Sequence, residues 1–201
     1  RNLGVLLTAG YSYDNRYMVD ATIKASASSV FGTDNKWGTF WSTGLAWNLH
    51  NEAFLSSAGN WLKLLKIRGS VGSSGNQNFA TNRSIPVYSY LQSYYHGFTG
   101  ATLGNMENRD LRWEEKMDYN AGVDFRTERI NATLDFYIAD TRNLVFSRSL
   151  VPSTGFTSVS DNMGLVRNKG VELSMSYELY KRGSSYFSIF GNSAFNDNRI
   201  M

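Results

Sequence analysis

Cysteine is absent from this 201-residue chain, and only two prolines, Pro86 and Pro152, interrupt it. The first absence excludes disulfides and thiolate metal centres and fits an oxidising compartment. The scarcity of proline leaves room for long strands, because proline removes a ladder hydrogen bond. No run of about 18 apolar residues occurs, which excludes a transmembrane helix but not a transmembrane strand. Histidine is nearly missing: His50 and His96 stand in separate connections, with no second ligand at metal spacing. The net charge of +3 comes from 20 basic and 17 acidic residues scattered along the chain, so no basic stripe points to nucleic acid. Arg1 to Leu7 read as strand rather than as a secretory leader.

What the chain does contain is alternation. In residues 17–27, Tyr17, Val19, Ala21, Ile23, Ala25 and Ala27 share one parity, and Met18, Asp20, Thr22, Lys24 and Ser26 share the other. A strand sends alternate side chains to opposite faces, so one face is dry and the other charged. The pattern predicts strands over 3–13, 17–28, 37–48, about 62–72, 117–127, 130–140, 169–180 and 185–197. Each is as long as a tilted strand needs to cross a bilayer, about 9–11 residues.

The connections alternate in length. Short ones at 14–16, 128–129 and 181–184 trade places with long ones at 28–36, 73–111 and 141–168, and the intermediate 49–61 link joins the short set. That rhythm suits a barrel with short periplasmic turns and long extracellular loops. The fold class expected is all-β, an antiparallel transmembrane β-barrel segment of about eight strands. A soluble antiparallel sandwich also alternates, but strand length, loop rhythm and charge on one parity favour the barrel. Tyr11, Tyr13, Tyr17, Trp37, Trp41, Trp47, Tyr177 and Tyr180 sit near strand ends, where amphipathic rings rest at headgroup level.

No enzyme is expected, and neither a cofactor nor a metal site. Glu114 and Glu115 are adjacent on an extended chain, so their carboxylates diverge rather than share one bond. Gly72-Ser73-Ser74-Gly75 lacks the lysine and helix of a phosphate loop and reads as a flexible loop entrance. Binding fits better. Tyr88, Tyr90, Tyr94, Tyr95 and Phe98 gather in one loop, where flat rings stack on sugars or peptide side chains. The same rings are equally suited to packing on neighbouring loops or on a partner lid. Asp20, Lys24, Lys66, Arg68, Asp118, Asp124, Asp135, Glu172 and Glu178 fall on the polar parity and are expected to face the lumen, against water or a plug.

Several segments carry a more specific likeness. They are Tyr11 to Tyr17 (Tyr-Ser-Tyr-Asp-Asn-Arg-Tyr), Phe31-Gly32, Asn35 to Phe40, Gly44 to Trp47, Leu64 to Asn78, Asn108 to Asn120, Gly122 to Phe125, Val151 to Phe156 and Asn162 to Leu173. In this colinear order the chain resembles the barrel of the SusC/RagA family, the TonB-dependent outer-membrane transporters of Bacteroidetes. The resemblance implies a barrel of about 22 strands around a plug, of which residues 1–201 are a middle-to-late part, with the plug, the TonB-contacting segment and the closing C-terminal strands outside this chain. It further implies nutrient import of glycan or peptide ligands with a SusD-like surface lipoprotein, powered by TonB through the N-terminal part, in outer-membrane lipid. Trp41 stands where such sequences often have proline, and the strand after Asp20 lacks the Arg-Arg-Asp-Gly run common before the first loop, so no substrate class is carried over. The other reading is a non-transporting surface adhesin or structural β-protein with aromatic ligand-binding loops, which would stay soluble without detergent.

Overall fold

A computed structural model describes residues 2–31, 35–76, 84–96, 98–183 and 185–201, and for residues 92–95 the backbone alone. Eight antiparallel strands form one sheet in the order β1 (Asn2–Tyr13), β2 (Tyr17–Ser28), β3 (Trp37–Asn48), β4 (Leu62–Asn76), β7 (Glu114–Thr127), β8 (Ile130–Arg142), β11 (Leu165–Arg182) and β12 (Ser185–Ile200). These are the eight expected from alternation, most of them a few residues longer. The sheet is open, with β1 and β12 each paired on one side only. The described residues also form two small hairpins, β5 (Tyr88–Tyr95) with β6 (Phe98–Leu103) and β9 (Val145–Ser149) with β10 (Ser158–Asn162), and short 3-10 turns at Leu49–Asn51, Ala53–Ala58 and Pro152–Thr154.

The hairpins correct the expectation of structureless loops at 73–111 and 141–168. Gly72 to Gly75 are likewise strand rather than loop entrance, because β4 continues its pairing with β7 from Gly72 opposite Asp118 to Asn76 opposite Glu114. Gly75 is needed there. A side chain at that position would collide with the Phe40 ring lying on the strand.

Register fixes the two faces. One row runs Tyr11, Val19, Leu45, Gly69, Ala121, Phe136, Val171, Phe195 across all eight strands and is wholly apolar. The adjacent row, on the other face, runs Ser12, Met18, Ala46, Arg68, Gly122, Asp135, Glu172, Ala194. Among the described residues, no second layer covers the apolar face: Val19 is 42% exposed, Ile23 55% and Phe136 47%. A soluble sandwich would bury these side chains, so that reading fails on geometry.

The apolar band is also slanted. On β1 it reaches Leu3 at the long-loop end, whereas on β11 it stops at Val171 and the next outward residue is Lys169. Strands about 4.8 Å apart and tilted by 35–45° displace a level band by about one residue per strand step. The slant therefore has the scale of a tilted barrel wall.

Turn chemistry places the short connections at one rim. Asp14 and Asn15 both take positive φ (50° and 51°), and Arg16 N donates to Tyr13 O at 2.9 Å, which closes a tight turn within the three-residue connection between the paired Tyr13 and Tyr17. At the same rim the 49–61 link folds back onto the apolar face. Tyr17 and Trp47 stack outward at 6.1 Å, and their O–H and N–H both donate to Glu52 Oε1, at 2.8 and 2.9 Å. Arg16 adds a weaker contact at 3.6 Å.

These two donors, the Trp47 indole foremost, hold the Glu52 carboxyl below the ordinary glutamate range. A depressed folded-state pKa means the tether is intact at neutral pH and is lost only as acid carries the solution through that lowered value. The Trp47 fluorescence should thus stay constant into mildly acid buffer and change only below the normal carboxylate range. Glu52→Gln should abolish the transition, and a transition already present at mildly acid pH would contradict the assignment.

Candidate functional site

The long connections meet at the opposite rim, and side chains knit them together. The main buried cluster of the described residues lies here, where Phe31 and Trp113 from two connections meet Phe40 of β3, with Leu111 fully buried as well. Trp113 tilts on Phe31 with centroids 4.3 Å apart and meets Phe40 edge-on at 5.5 Å. Its indole N–H donates to Lys36 O at 3.3 Å. Asn35 Nδ2 donates to Asp110 O, and Ser84 Oγ donates to Val30 O at 2.8 Å.

Asn162 joins the third connection to the others. Its Oδ1 accepts from Arg112 N at 2.8 Å, while its Nδ2 donates to Arg112 O and to Asn143 O. Glu114 plays a similar part, accepting from Val145 N at 2.8 Å and from Asn76 Nδ2 at 2.7 Å. A carboxylate and an amide can each satisfy several backbone groups at once, which is what irregular segments need. The described parts of three connections far apart in sequence are thus tied into one cap.

The β5–β6 hairpin belongs to this rim and exposes large rings. Tyr88 is 64% exposed, Tyr90 79% and Phe98 77%. Tyr88 opposes Leu103 and Tyr90 opposes Ala101, so the two tyrosines share one hairpin face. Phe98 has the other parity on β6 and lies on the opposite face. The side chains of Tyr94 and Tyr95 lie outside the described residues. Two of the five expected ligand-binding rings are therefore side by side, and a third points away from them.

The nine charged positions read from parity all lie on the polar face of the sheet. Four of them converge or adjoin. Arg68 Nε donates to Asp124 Oδ2 at 3.2 Å, and Arg68 Nη2 approaches Asp135 Oδ1 to 2.6 Å, close as an ion pair though poorly aligned as a hydrogen bond. Thr133 Oγ1 donates to Asp124 Oδ1, Asn120 Oδ1 accepts from Arg68 Nη1, and Glu172 sits opposite Asp135 in register. Asp118 pairs with Lys116 at 2.7 Å, and Glu178 with Lys181 at 3.8 Å beside a bulge. Asp20 packs over Gly44; Lys24 and Lys66 lie on the same face two rows away on either side.

Gly122 makes the Arg68 cluster possible. A Cβ there would stand 2.6 Å from Asp135 Oδ1 and 2.8 Å from the Arg68 guanidinium carbon. Gly122→Val is expected to destabilise the folded protein by about 1–3 kcal/mol, the usual cost of overpacking. Gly191→Val, whose Cβ meets nothing within 4 Å, is the neutral comparison. Thermal unfolding of the full-length protein in detergent reads both, and equal midpoints would contradict the steric role.

The comparisons with known proteins agree with this geometry. The family described as TonB dependent receptor-like, beta-barrel, matches residues 1–200. The chain belongs to the TonB-dependent receptor β-barrel family. TonB-dependent receptor SusC of Bacteroides thetaiotaomicron is 32% identical over 199 residues, covering 94% of this chain and 20% of that protein. TonB-dependent receptor P39 of Formosa agariphila is 31% identical over 196 residues, covering 96% of this chain and 18% of that protein. In structure, the RagAB peptide importer in its closed-closed state superposes with a TM-score of 0.90 at 25% identity, over 99% of this chain and 22% of that one. This TonB-dependent receptor segment spans about a fifth of the length of the relatives it matches. The SusC/RagA resemblance and the all-β barrel-wall fold both hold, and the family is one of outer-membrane β-barrel proteins of Gram-negative bacteria.

The sequence did not reveal the Trp113 cluster, the Glu52 tether or the Asn162 knot. Trp113 and Asn162 fall inside the segments that carry the family likeness, which is the signal that could have singled them out.

Proposed function

We propose that this chain is wall and mouth of an outer-membrane importer for glycan or peptide ligands. A SusD-like surface lipoprotein closes over the long-loop rim, and TonB acts through segments outside residues 1–201. The observation that carries the reading is the ordered cap: three connections locked together by Trp113, Asn162 and Glu114, with the exposed Tyr88–Tyr90 face at the same rim. A preorganised rim with flat rings suits capture, because little entropy is lost when ligand or lid docks. The named relatives SusC and the RagAB peptide importer support import over adhesion. The polar face, with its charges largely paired within the wall, becomes the lumen and plays a structural part rather than a catalytic one.

The test is uptake by the full-length protein in its own host. Tyr88→Ser with Tyr90→Ser should lower ligand uptake several-fold while the protein still reaches the outer membrane folded. Undiminished uptake and undiminished lipoprotein co-purification would together remove the rim from the mechanism.

A further inference from the structure

The apolar face carries a feature that import does not use. Two shallow troughs, of about 510 and about 560 Å³, share Ala121. They follow the apolar row, where Gly69 and Ala121 are too small to fill the space between larger neighbours. The first is walled by Tyr119, Phe136, Ile138, Val171 and Phe195, and it ends at Lys169.

Beyond Lys169, toward the long-loop rim, the same outward face becomes charged. Lys169, Arg167, Arg142 and Arg199 share its parity with Asp140, Asp197 and Glu115. These charges are not evenly matched. Arg167 and Asp140 form a closed two-pronged pair at 2.6 and 2.7 Å, and Glu115 stands opposite Arg142 in register. Among the described residues that leaves Asp197 between two cations, 3.0 Å from Arg199 Nε and 3.7 Å from Lys169 Nζ.

An apolar trough in the band, closed at the band's edge by two cations sharing one carboxylate, matches a lipid that carries phosphate on its headgroup. We propose that β7, β8, β11 and β12 form a docking site for a phosphorylated, acylated lipid of the outer leaflet. One acyl chain lies in the trough beside Ala121, and the phosphate bridges Lys169 and Arg199. The proposal rests on the membrane reading of this face. A second copy of the chain is the weaker occupant, because a two-fold contact through this patch would bring like cations together.

Native mass spectrometry of the full-length protein in detergent tests the site, with lipid A (acylated diglucosamine bisphosphate) and its dephosphorylated form as probes. The wild type should retain the phosphorylated probe roughly tenfold better. Lys169→Gln with Arg199→Gln should abolish that preference, and Lys169→Arg with Arg199→Lys should keep it. Ala121→Leu should weaken both probes alike by filling the trough. Equal retention of the two probes by the wild type, an unchanged preference in the double glutamine variant, or loss of a dimer in that variant would each overturn the site. Failure of the membrane reading looks different: the full-length protein would stay dispersed without detergent and retain neither probe.

Discussion

Trp113→Ala is expected to loosen the long-loop rim by about 3–5 kcal/mol, the range for emptying a buried aromatic site. The indole touches Phe31 from the first long connection and Phe40 from β3, and it donates to Lys36 O. Its loss opens a cavity where rims from three parts of the chain converge. Hydrogen exchange on the full-length protein in detergent is the measurement. Protection should fall at amides around Val30, Asp110 and Leu111, while the central residues of β7 and β8 keep theirs. Trp113→Phe, which retains a ring and loses one hydrogen bond, should cost only about 0.5–1.5 kcal/mol. Unchanged rim protection in the alanine variant would show that the cap is held elsewhere.

Val123→Arg has the second largest expected effect. Val123 lies between Ile67 and Leu134 on the apolar face, well inside the slanted band. A cation at mid-bilayer on a barrel exterior costs about 2–4 kcal/mol. The same change on the other face, Ser174→Arg, lies between Thr133 and Asn192 and should be nearly neutral. Folded yield in the outer membrane, read by heat-modifiable gel mobility, separates the two. Equal yields would mean that neither face meets hydrocarbon.

The sequence made the wall legible because lipid on one side and water on the other force a period of two. β2 was readable to its last residue and β8 to within two. Alternation fails where the wall leaves the bilayer. Residues 165–168 open β11 with Arg167 on the outward parity, so the strand begins earlier than the pattern shows. The 73–76 end of β4 is glycine and serine, whose strand character comes from pairing with β7 and from the Phe40 ring. The β5–β6 hairpin alternates only from Tyr88 to Tyr90 before its register shifts, and His96 turns it with a φ of 50°.

Site geometry was legible in parity but not in partnership. Alternation assigned Arg68, Asp124 and Asp135 to one face. Their convergence depends on β4 pairing with β7 across the whole 77–113 insertion, and no local pattern reports that choice. Gly122 gave no hint of its role, because the space it leaves is defined by two other strands. Glu52 sits in a link without periodicity, and its partners Tyr17 and Trp47 come from β2 and β3.

Site-directed spin labelling along β7 addresses the two-faced wall most directly. Single cysteines at positions 117–121 and 123–126 of the full-length protein, in a background cleared of any other cysteine, would carry a nitroxide in lipid bilayers. Accessibility to oxygen, which concentrates in hydrocarbon, should peak at 119, 121, 123 and 125. Accessibility to a water-soluble nickel chelate, or protection from both reagents, should mark 118, 120 and 124. A profile without a period of two, or one with the oxygen peaks at the even positions, would contradict it.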